Sequence, residues 1–365
     1  MRDDELRAEA KRLIDAIAAT PRFAGSAKEY AARDLCAAEI RAAGFTTTEK
    51  EFEFSEWPGR WGIPVVSAAT LVAVLITAFT AARSAAAGAV VLPFVFVLGH
   101  SFLHRIRHKV TLGMPSMRGH STSLEAKRGA DPRVWLVAHI DSKSQLVPML
   151  LRVASHVALI VVVLVEIAAM FLVQVGLVGA AHWGWIALAG VVAAIPSVFC
   201  IVGNKSRGAL DNATGVAAVL LAARLISPEK PCGVLITSGE ELDLAGARAW
   251  SSAEHPGALM INCDTVDDDG AWKCMYWNRP HAIGAAAENA AKKLGLALRM
   301  GKMIPGIITD SLAFETAGLP SVTLSRGTLR TLARLHTSGD NPDRVTGTGS
   351  ATAARILAQM VEELS

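Results

Sequence analysis

Residues 133–144 read RVWLVAHIDSKS. After Arg133 the run VWLVA carries no charge, and it stops abruptly at His139 and Asp141. A short apolar, β-rich run bounded by polar residues reads as a buried strand. Polar residues at the carboxyl end of such a strand mark the place where open α/β sheets put their sites. The pattern recurs: CGVLIT (232–237) leads to Gly239-Glu240-Glu241, ALMINC (258–263) leads to Asp264, and SVTLS (321–325) is a fourth run. Helical periodicity fills the intervals at 213–226, 283–295 and 347–363. Strands alternating with helices predict an α/β fold, a mixed, mostly parallel sheet flanked by helices. Upstream, 4–19 and 27–43 are helical in pattern, Gly44 stands where the second helix would end, and TTTEKEFEF (46–54) alternates like a strand.

Charged residues make up 19% of the 365, against about 25% in soluble domains. The shortfall is local. Apolar runs extend over Trp61–Ala82, Ser84–Leu103, Val147–Gly176 and Trp183–Val202. Each is long enough to cross about 30 Å of hydrocarbon as a helix. Trp57, Trp61, Trp183 and Trp185 lie near their ends, where interfacial aromatic belts sit. The expectation is four inserted transmembrane helices in two hairpins, 61–103 and 147–202, with 1–60, 104–146 and 203–365 forming one extramembrane domain. The N-terminus, charged from residue 2, does not read as a signal peptide.

Basic residues set the orientation. Arg60, Arg105, Arg107, Lys109, Lys143, Lys205 and Arg207 flank the four runs on one side, whereas the linkers on the other side carry only Arg83. The positive-inside rule therefore predicts an integral membrane protein of the cell inner membrane, with both termini and the catalytic mass in the cytoplasm. Arg152 and His156 fall near the cytoplasmic end of the third run, and Glu166 lies deeper. With no second ionisable residue at its depth, Glu166 reads as a neutral or hydrogen-bonded group facing another span. The high apolar content excludes disorder. Five scattered cysteines (36, 200, 232, 263, 274) read as free thiols rather than a disulfide framework. A net charge of +3 gives no reason to expect a nucleic-acid partner.

Five segments carry the chemistry: AHIDSKS (138–144), GALDNATGVAAVLLA (208–222), ITSGEELDLAGARAW (236–250), INCDTVDDDG (261–270) and LHTSGDNPDRV (335–345). Each puts His, Asp or Glu where a loop follows a strand or opens a helix. Imidazole and carboxylate without thiolate suit zinc or a similar divalent ion in a catalytic site. Two such ions sharing a carboxylate could ionise a water, and a free carboxylate beside them could take its proton. Singly, each segment has a plainer reading: a polar loop histidine, a helix cap, acidic residues at a helix start. Asp267, Asp268 and Asp269 read as a solvated turn.

Taken together and in this order, the segments resemble the co-catalytic dizinc aminopeptidase family of bacterial leucyl aminopeptidases, glutamate carboxypeptidases and glutaminyl cyclases. The resemblance extends to TPRFAGSAKEYAARDLCAAEIRAAGFTTTEKEFEF (20–54) and to ITDSLAFETAGLPSVTLS (308–325). It implies that His139 and Asp264 hold one metal, Glu241 and His336 the other, and that Asp211 bridges the two. It implies that Asp141 orients the His139 imidazole, that Glu240 is the general base, and that Asp310 lies near the site in an open role. The cofactors implied are two divalent ions, zinc foremost, and the partners are a peptide substrate and the lipid bilayer. Where the family has a short loop between its histidine and its bridging aspartate, this chain carries the third and fourth spans. Residues 139 and 211 must nevertheless meet, so the insertion must return to the side it left.

The reading is thus a membrane-anchored zinc exopeptidase, an aminopeptidase acting on N-terminal residues. The alternatives are a single-zinc glutaminyl cyclase, to which Asp141-Ser142-Lys143 is similar, and an inactive membrane scaffold on the same fold. A transporter has little support, since the hairpins show no repeat. Substrate preference, metal identity and oligomeric state carry no motif.

Overall fold

A computed structural model describes residues 1–94, 97, 110–178, 182–278, 281–303 and 307–365. The basic flank Arg105, Arg107 and Lys109 and the end of the second apolar run lie outside the described residues. The chain divides into two compact units: an α/β unit of Met1–Phe54, Arg118–Ser144 and Gly203–Ser365, and a helical unit of Ser55–Met117 and Gln145–Val202.

The α/β unit is built on β1 (Thr46–Ser55), β2 (Arg118–Arg128), β3 (Val134–His139), β6 (Cys232–Thr237), β7 (Leu259–Val266), β8 (Ala271–Tyr276), β9 (Leu298–Lys302) and β10 (Ser321–Gly327). The two-residue strands β4 (Ser144–Gln145) and β5 (Val202–Gly203) form a separate small sheet. The large sheet runs β1-β2-β6-β3-β7-β10-β8-β9. Pairs β6/β3, β3/β7, β7/β10 and β8/β9 are parallel, while β2/β6 and β10/β8 are antiparallel. The mixed, mostly parallel α/β sheet expected from the sequence is therefore present.

Its central strands are largely apolar because both faces are covered. All six residues of β3 and of β6 are buried. Trp135 and Val137 face a cluster with Trp250 of α9 (Ala245–Trp250) and Phe314 of α11 (Asp310–Thr316). On the other face α8 (Thr214–Leu225) packs against β3 and β7, and α13 (Thr348–Leu364) packs on α8. Gly233 on β6 lies opposite Trp135, and a Cβ there would come within 2.3 Å of the indole. α1 (Asp3–Ile17) and α2 (Ala27–Ala42) open the chain close to the expected bounds.

The turn read as solvated is corrected at Asp267 and Asp268, while Asp269 is exposed as expected. Asp267 is buried and accepts from Thr331 Oγ1 at 2.6 Å and from Arg334. Asp268 accepts the N–H groups of Thr346 (2.5 Å) and Gly349 (2.9 Å), which leads the chain into α13. Asp268 thus serves backbone donors at a helix start and Asp267 side-chain donors, tasks that composition alone does not distinguish from exposure.

In the helical unit, α3 (Trp57–Ala81, mean hydropathy 2.2) and α6 (Met149–Gln174, mean hydropathy 2.7) are long and apolar enough to cross a membrane. Two further apolar helices are shorter: α4 (Ala85–Phe94) and α7 (Trp183–Val198). A short α5 (Val110–Gly113) precedes β2. At 1.5 Å per residue α7 spans about 24 Å. Its run of apolar residues continues to Val202, but Pro196 removes a donor in the last turn and Val202 already belongs to β5. Gly190 of α7 admits close approach, since a Cβ would meet Val74 at 2.8 Å. Ser197 Oγ donates to Ser155 Oγ at 2.7 Å, and Arg152 donates to Gln145 Oε1 at 3.0 Å. Glu166 is fully buried, and neither oxygen has a hydrogen-bond partner among the described residues. Outward faces expose Phe79, Ile160, Leu164 and Phe171.

Candidate metal centre

The site forms at the carboxyl ends of β3, β6 and β7. His139 closes β3, Glu240 and Glu241 follow β6 in a short 3₁₀ turn, and Asp264 lies on β7. Asp211 sits just before α8, in a turn whose φ/ψ values leave the helical region, and its peptide bond to Asn212 is cis. Asn212 fixes that turn: its Nδ2 donates to Cys263 O (2.9 Å), and its Oδ1 accepts from Gly215 N (3.0 Å) and Thr265 N (3.2 Å). Gly215 must lack a side chain, because a Cβ would lie 2.2 Å from Asn212 Oδ1. His336 adopts φ 59°, in the left-handed region that costs a non-glycine residue roughly 1–3 kcal/mol.

All seven sequence-named residues are buried: His139, Asp141, Asp211, Glu240, Glu241, Asp264 and His336. Asp211 stands between the two imidazoles. Its Oδ1 is 3.0 Å from His139 Nε2, and its Oδ2 is 2.9 Å from His336 Nε2. Asp264 Oδ1 lies 3.8 Å from His139 Nε2, and Glu241 Oε1 lies 3.1 Å from His336 Nε2. Two triads result, His139/Asp211/Asp264 and Asp211/Glu241/His336, each with ligand-type atoms within 4.8 Å of one another. Glu240 Oε2 is 3.9 Å from His139 Nε2 and belongs to neither triad.

Asp141 touches two partners. His139 Nδ1 is 3.1 Å from its carbonyl oxygen and 3.5 Å from its Oδ1. The carboxylate itself accepts the N–H groups of Glu240 (3.1 Å) and Glu241 (3.2 Å). One side chain thus steadies the acidic turn and faces the imidazole. Asp310 is fully buried and accepts from Thr237 Oγ1 at 2.5 Å, while its Oδ1 has no hydrogen-bond partner among the described residues.

The electrostatics are those of a cation site. Burial pushes Glu240 well above the usual carboxylate range, opposed by His139 and reinforced by Glu241, Asp264 and Asp310. Burial likewise pushes Asp310 up to about 7. For Asp211, burial works towards the neutral form, but the two imidazoles outweigh it and hold the carboxyl below its ordinary value. Against this concentration of buried carboxyls stand the two imidazoles and Lys143, whose Nζ is 2.6 Å from Glu241 Oε2. Unpaired charge at such burial costs several kcal/mol per ion, a cost that divalent cations would offset. His139 Nε2 and Glu241 Oε1 are buried, and each faces a member of its own triad, Asp211 Oδ1 at 3.0 Å and His336 Nε2 at 3.1 Å. Imidazole nitrogens and carboxylate oxygens converging in two buried triads are a donor set that fits zinc-class ions.

Supporting residues went unread in the sequence. Asp340 is fully buried and accepts the N–H groups of Leu210 (2.7 Å) and Asp211 (3.2 Å). Arg22, also fully buried, donates to Ile140 O (2.8 Å), Ile17 O (3.0 Å), Arg207 O (2.6 Å) and Gly208 O (3.0 Å). Its guanidinium thereby ties the exit of β3 to the approach to Asp211. Asp340 lay within a segment quoted for His336, four residues on. Arg22 gave only the signal of a lone arginine between apolar neighbours.

Carboxylates and imidazoles gathered at the carboxyl ends of a mostly parallel sheet match the donor chemistry of metal-dependent hydrolases. The model of peptidase family M28 matches residues 122–361, and the chain belongs to that family. No curated protein matches it in sequence. Among solved structures, it is similar to an aminopeptidase from Aneurinibacillus sp. strain AM-1, at 13% identity and a TM-score of 0.59 over 97% of this chain and 93% of that one. A zinc aminopeptidase from Bacillus subtilis is also similar, at 13% identity and a TM-score of 0.58 over 99% and 95% of the two chains. A glutaminyl cyclase from Bacteroides thetaiotaomicron gives 15% identity and a TM-score of 0.55 over 99% and 98%. At these identities the likeness is one of fold.

Proposed function

We propose that this chain is a membrane-anchored zinc aminopeptidase that removes N-terminal residues from peptides. The observation that carries the reading is Asp211, with one carboxylate oxygen at 3.0 Å from His139 and the other at 2.9 Å from His336. A carboxylate so placed suits a bridge between two ions, with His139 and Asp264 completing one ligand set and Glu241 and His336 the other. Bound there, the ions would supply an acidified water and polarise the scissile carbonyl. Glu240, outside both triads, takes the proton of the attacking water and passes it to the leaving amine. A carboxyl whose proton affinity is raised by burial is suited to both halves of that transfer. Asp141 holds the Glu240–Glu241 turn and the His139 ring in place.

Anchoring is part of the same proposal. α3 and α6 are long and apolar enough to be spans, and in this reading four spans in two hairpins keep both termini on the cytoplasmic face of the inner membrane by the positive-inside rule. Peptide substrate and lipid are then the partners. Short or hydrophobic peptides released from membrane proteins are the expected substrates. Equal cleavage of soluble hydrophilic peptides in detergent and in nanodiscs would contradict that preference. A second reading, glutaminyl cyclase, is favoured by Lys143, from the segment similar to that branch, whose ammonium is paired with Glu241.

The test is mass spectrometry of a mixed peptide pool incubated with the zinc-loaded protein, with Glu240→Gln as control and metal content counted in both. Stepwise N-terminal loss that is absent in the control, with two metals per chain, supports the aminopeptidase. One metal per chain with ammonia release from Gln-initiated peptides supports the cyclase. An unchanged pool refutes both and leaves the scaffold.

A further inference from the structure

We propose that Glu29 is a protonated carboxylic acid in a closed hydrogen-bonded ring with Ser121 and Ser238, and that this ring positions the turn bearing Glu240. Glu29 stands in the first turn of α2 and is 1% exposed. Its Oε2 accepts from Gly25 N at 2.6 Å and lies 3.0 Å from Ser121 Oγ. Its Oε1 contacts Ser238 Oγ, and the two serine oxygens are 2.6 Å apart.

Counting protons gives the state. Three oxygen–oxygen contacts close a triangle, and each needs one proton. Two serine hydroxyls bring only two. An ionised Glu29 would leave two lone pairs facing each other across one edge. A carboxylic acid supplies the third proton, and the ring then closes in either sense.

Opposing effects can be weighed. Hydrogen bonds from Ser238, from the Gly25 N–H and from Ser121, together with the start of α2, favour the anion. Burial and the negative charge of Asp141 favour the acid more strongly, and push Glu29 up to about 8. The other charged groups around it leave this balance in place. Arg22, from the preceding loop, is engaged with four carbonyl oxygens. Arg33, on the same helix, pairs with Asp34 and Glu49. His120 on β2 pairs with Glu53 at the surface. Glu240 follows Ser238 by two residues and shares the charge of the metal centre.

The ring has leverage on the site because Ser238 begins the turn Ser238-Gly239-Glu240-Glu241. Ser238 N donates to Ser123 Oγ at 3.3 Å, and Ser238 O accepts from Gly246 N at 2.9 Å. The ring therefore fixes the entry to the turn while Asp141 fixes its exit. Glu29 is thus a positioning residue, and this role rests on the reading of Glu240 as the base. Its protonation does not.

Two measurements on the full-length protein in detergent separate these claims. Native Glu29 keeps a proton that the unfolded chain has lost above pH 4.5. Stability must therefore fall as pH rises from about 4.5 to about 8, with the folding constant dropping by up to about tenfold per pH unit. Glu29→Gln, whose amide supplies the third proton permanently, should lack that component and show a flatter stability profile. An isotope-edited infrared spectrum should show a carboxylic-acid C=O band at pH 6 that is absent in Glu29→Gln. Parallel stability profiles, or no such band, overturn the protonated ring whatever the enzyme hydrolyses. For the positioning role, the alkaline fall of kcat in the wild type should shift upwards in Glu29→Gln, whose amide cannot ionise. Coincident kcat profiles would overturn that role and leave the metal centre untouched.

Discussion

Replacing Arg22 with lysine should loosen the metal centre from a distance. The guanidinium serves four carbonyl oxygens at 2.6–3.0 Å, through Nε, Nη1 and Nη2. An ammonium has three protons on one atom, so at least one carbonyl loses its donor. The directions served by Nε and Nη2 diverge, so a second is expected to go as well. At about 1.5–3 kcal/mol per charge-assisted hydrogen bond, the loss is about 2–5 kcal/mol. That is a substantial part of a typical folding free energy of about 5–15 kcal/mol, but it is survivable. The Tm should fall by roughly 5–15 °C for a domain of this size. The damage is also directed: Ile140 follows His139, and Gly208 precedes Asp211. Zinc affinity should therefore drop together with stability. The assay pairs thermal unfolding in detergent, followed by tryptophan fluorescence, with zinc titration against a competing chelator. An Arg22→Lys protein with wild-type Tm and wild-type zinc affinity would refute the clamp. A lowered Tm with unchanged zinc affinity would reduce Arg22 to a purely structural role.

Gly233→Ala should lower the Tm by the equivalent of about 1–3 kcal/mol, the usual cost of overpacking, since the new methyl meets the Trp135 ring at 2.3 Å; an unchanged Tm would mean that the indole has room to move. Glu9 is held down to about 2 by hydrogen bonding to Arg12 and Arg224. It therefore contributes stability that is present above pH 4.5 and lost as pH falls towards 2. As a half-buried pair near the surface, screened by solvent, it should contribute no more than about 1 kcal/mol. Acid titration of Glu9→Gln against the wild type, read by fluorescence, should show a slightly shallower acid limb. Glu166→Leu should raise the Tm of the helical unit, because a buried carboxyl without a partner costs about 1–3 kcal/mol; a lower Tm would show that the carboxyl has a favourable partner in the protein.

Much of the α/β unit is legible because its central strands are buried on both faces. Such strands are apolar over most of their length, so β3 and β6 announce themselves as nearly unbroken apolar runs, and β7 and β10 as runs with few polar residues. β2 (RGHSTSLEAKR) and β9 (LRMGK) do not, since they lie towards the sheet's flanks and mix polar with apolar residues. In the helical unit, hydropathy marks where apolar residues run but not where hydrogen bonding stops. Composition carries the fourth run to Val202, and the helix closes at Val198.

The candidate ligands are legible for a related reason: a parallel strand exposes polar residues only at its end, so His139 and Asp264 stand out against what precedes them. Arg22, Asp340 and Glu29 do not stand out, because none of them ends a strand. Each lies in a loop or a helix's first turn, and each matters through backbone atoms or hydroxyls distant in sequence. Asp340 serves an N–H group 129 residues away and Arg22 a carbonyl 186 residues away. No local pattern encodes such a partner. The shared geometry nevertheless gives a rule for finding them. The centre is assembled from chain segments that an insertion has separated, so its ends need fixing by groups that belong to neither segment. Buried polar residues whose hydrogen bonds go to the backbone beside a ligand meet that need: Arg22 beside His139 and Asp211, Asp340 under Asp211, and Glu29, through Ser238, ahead of Glu240. Substitutions at such positions should change metal affinity or the pH dependence of turnover before they change substrate preference, because they touch the frame and leave the ligand atoms in place.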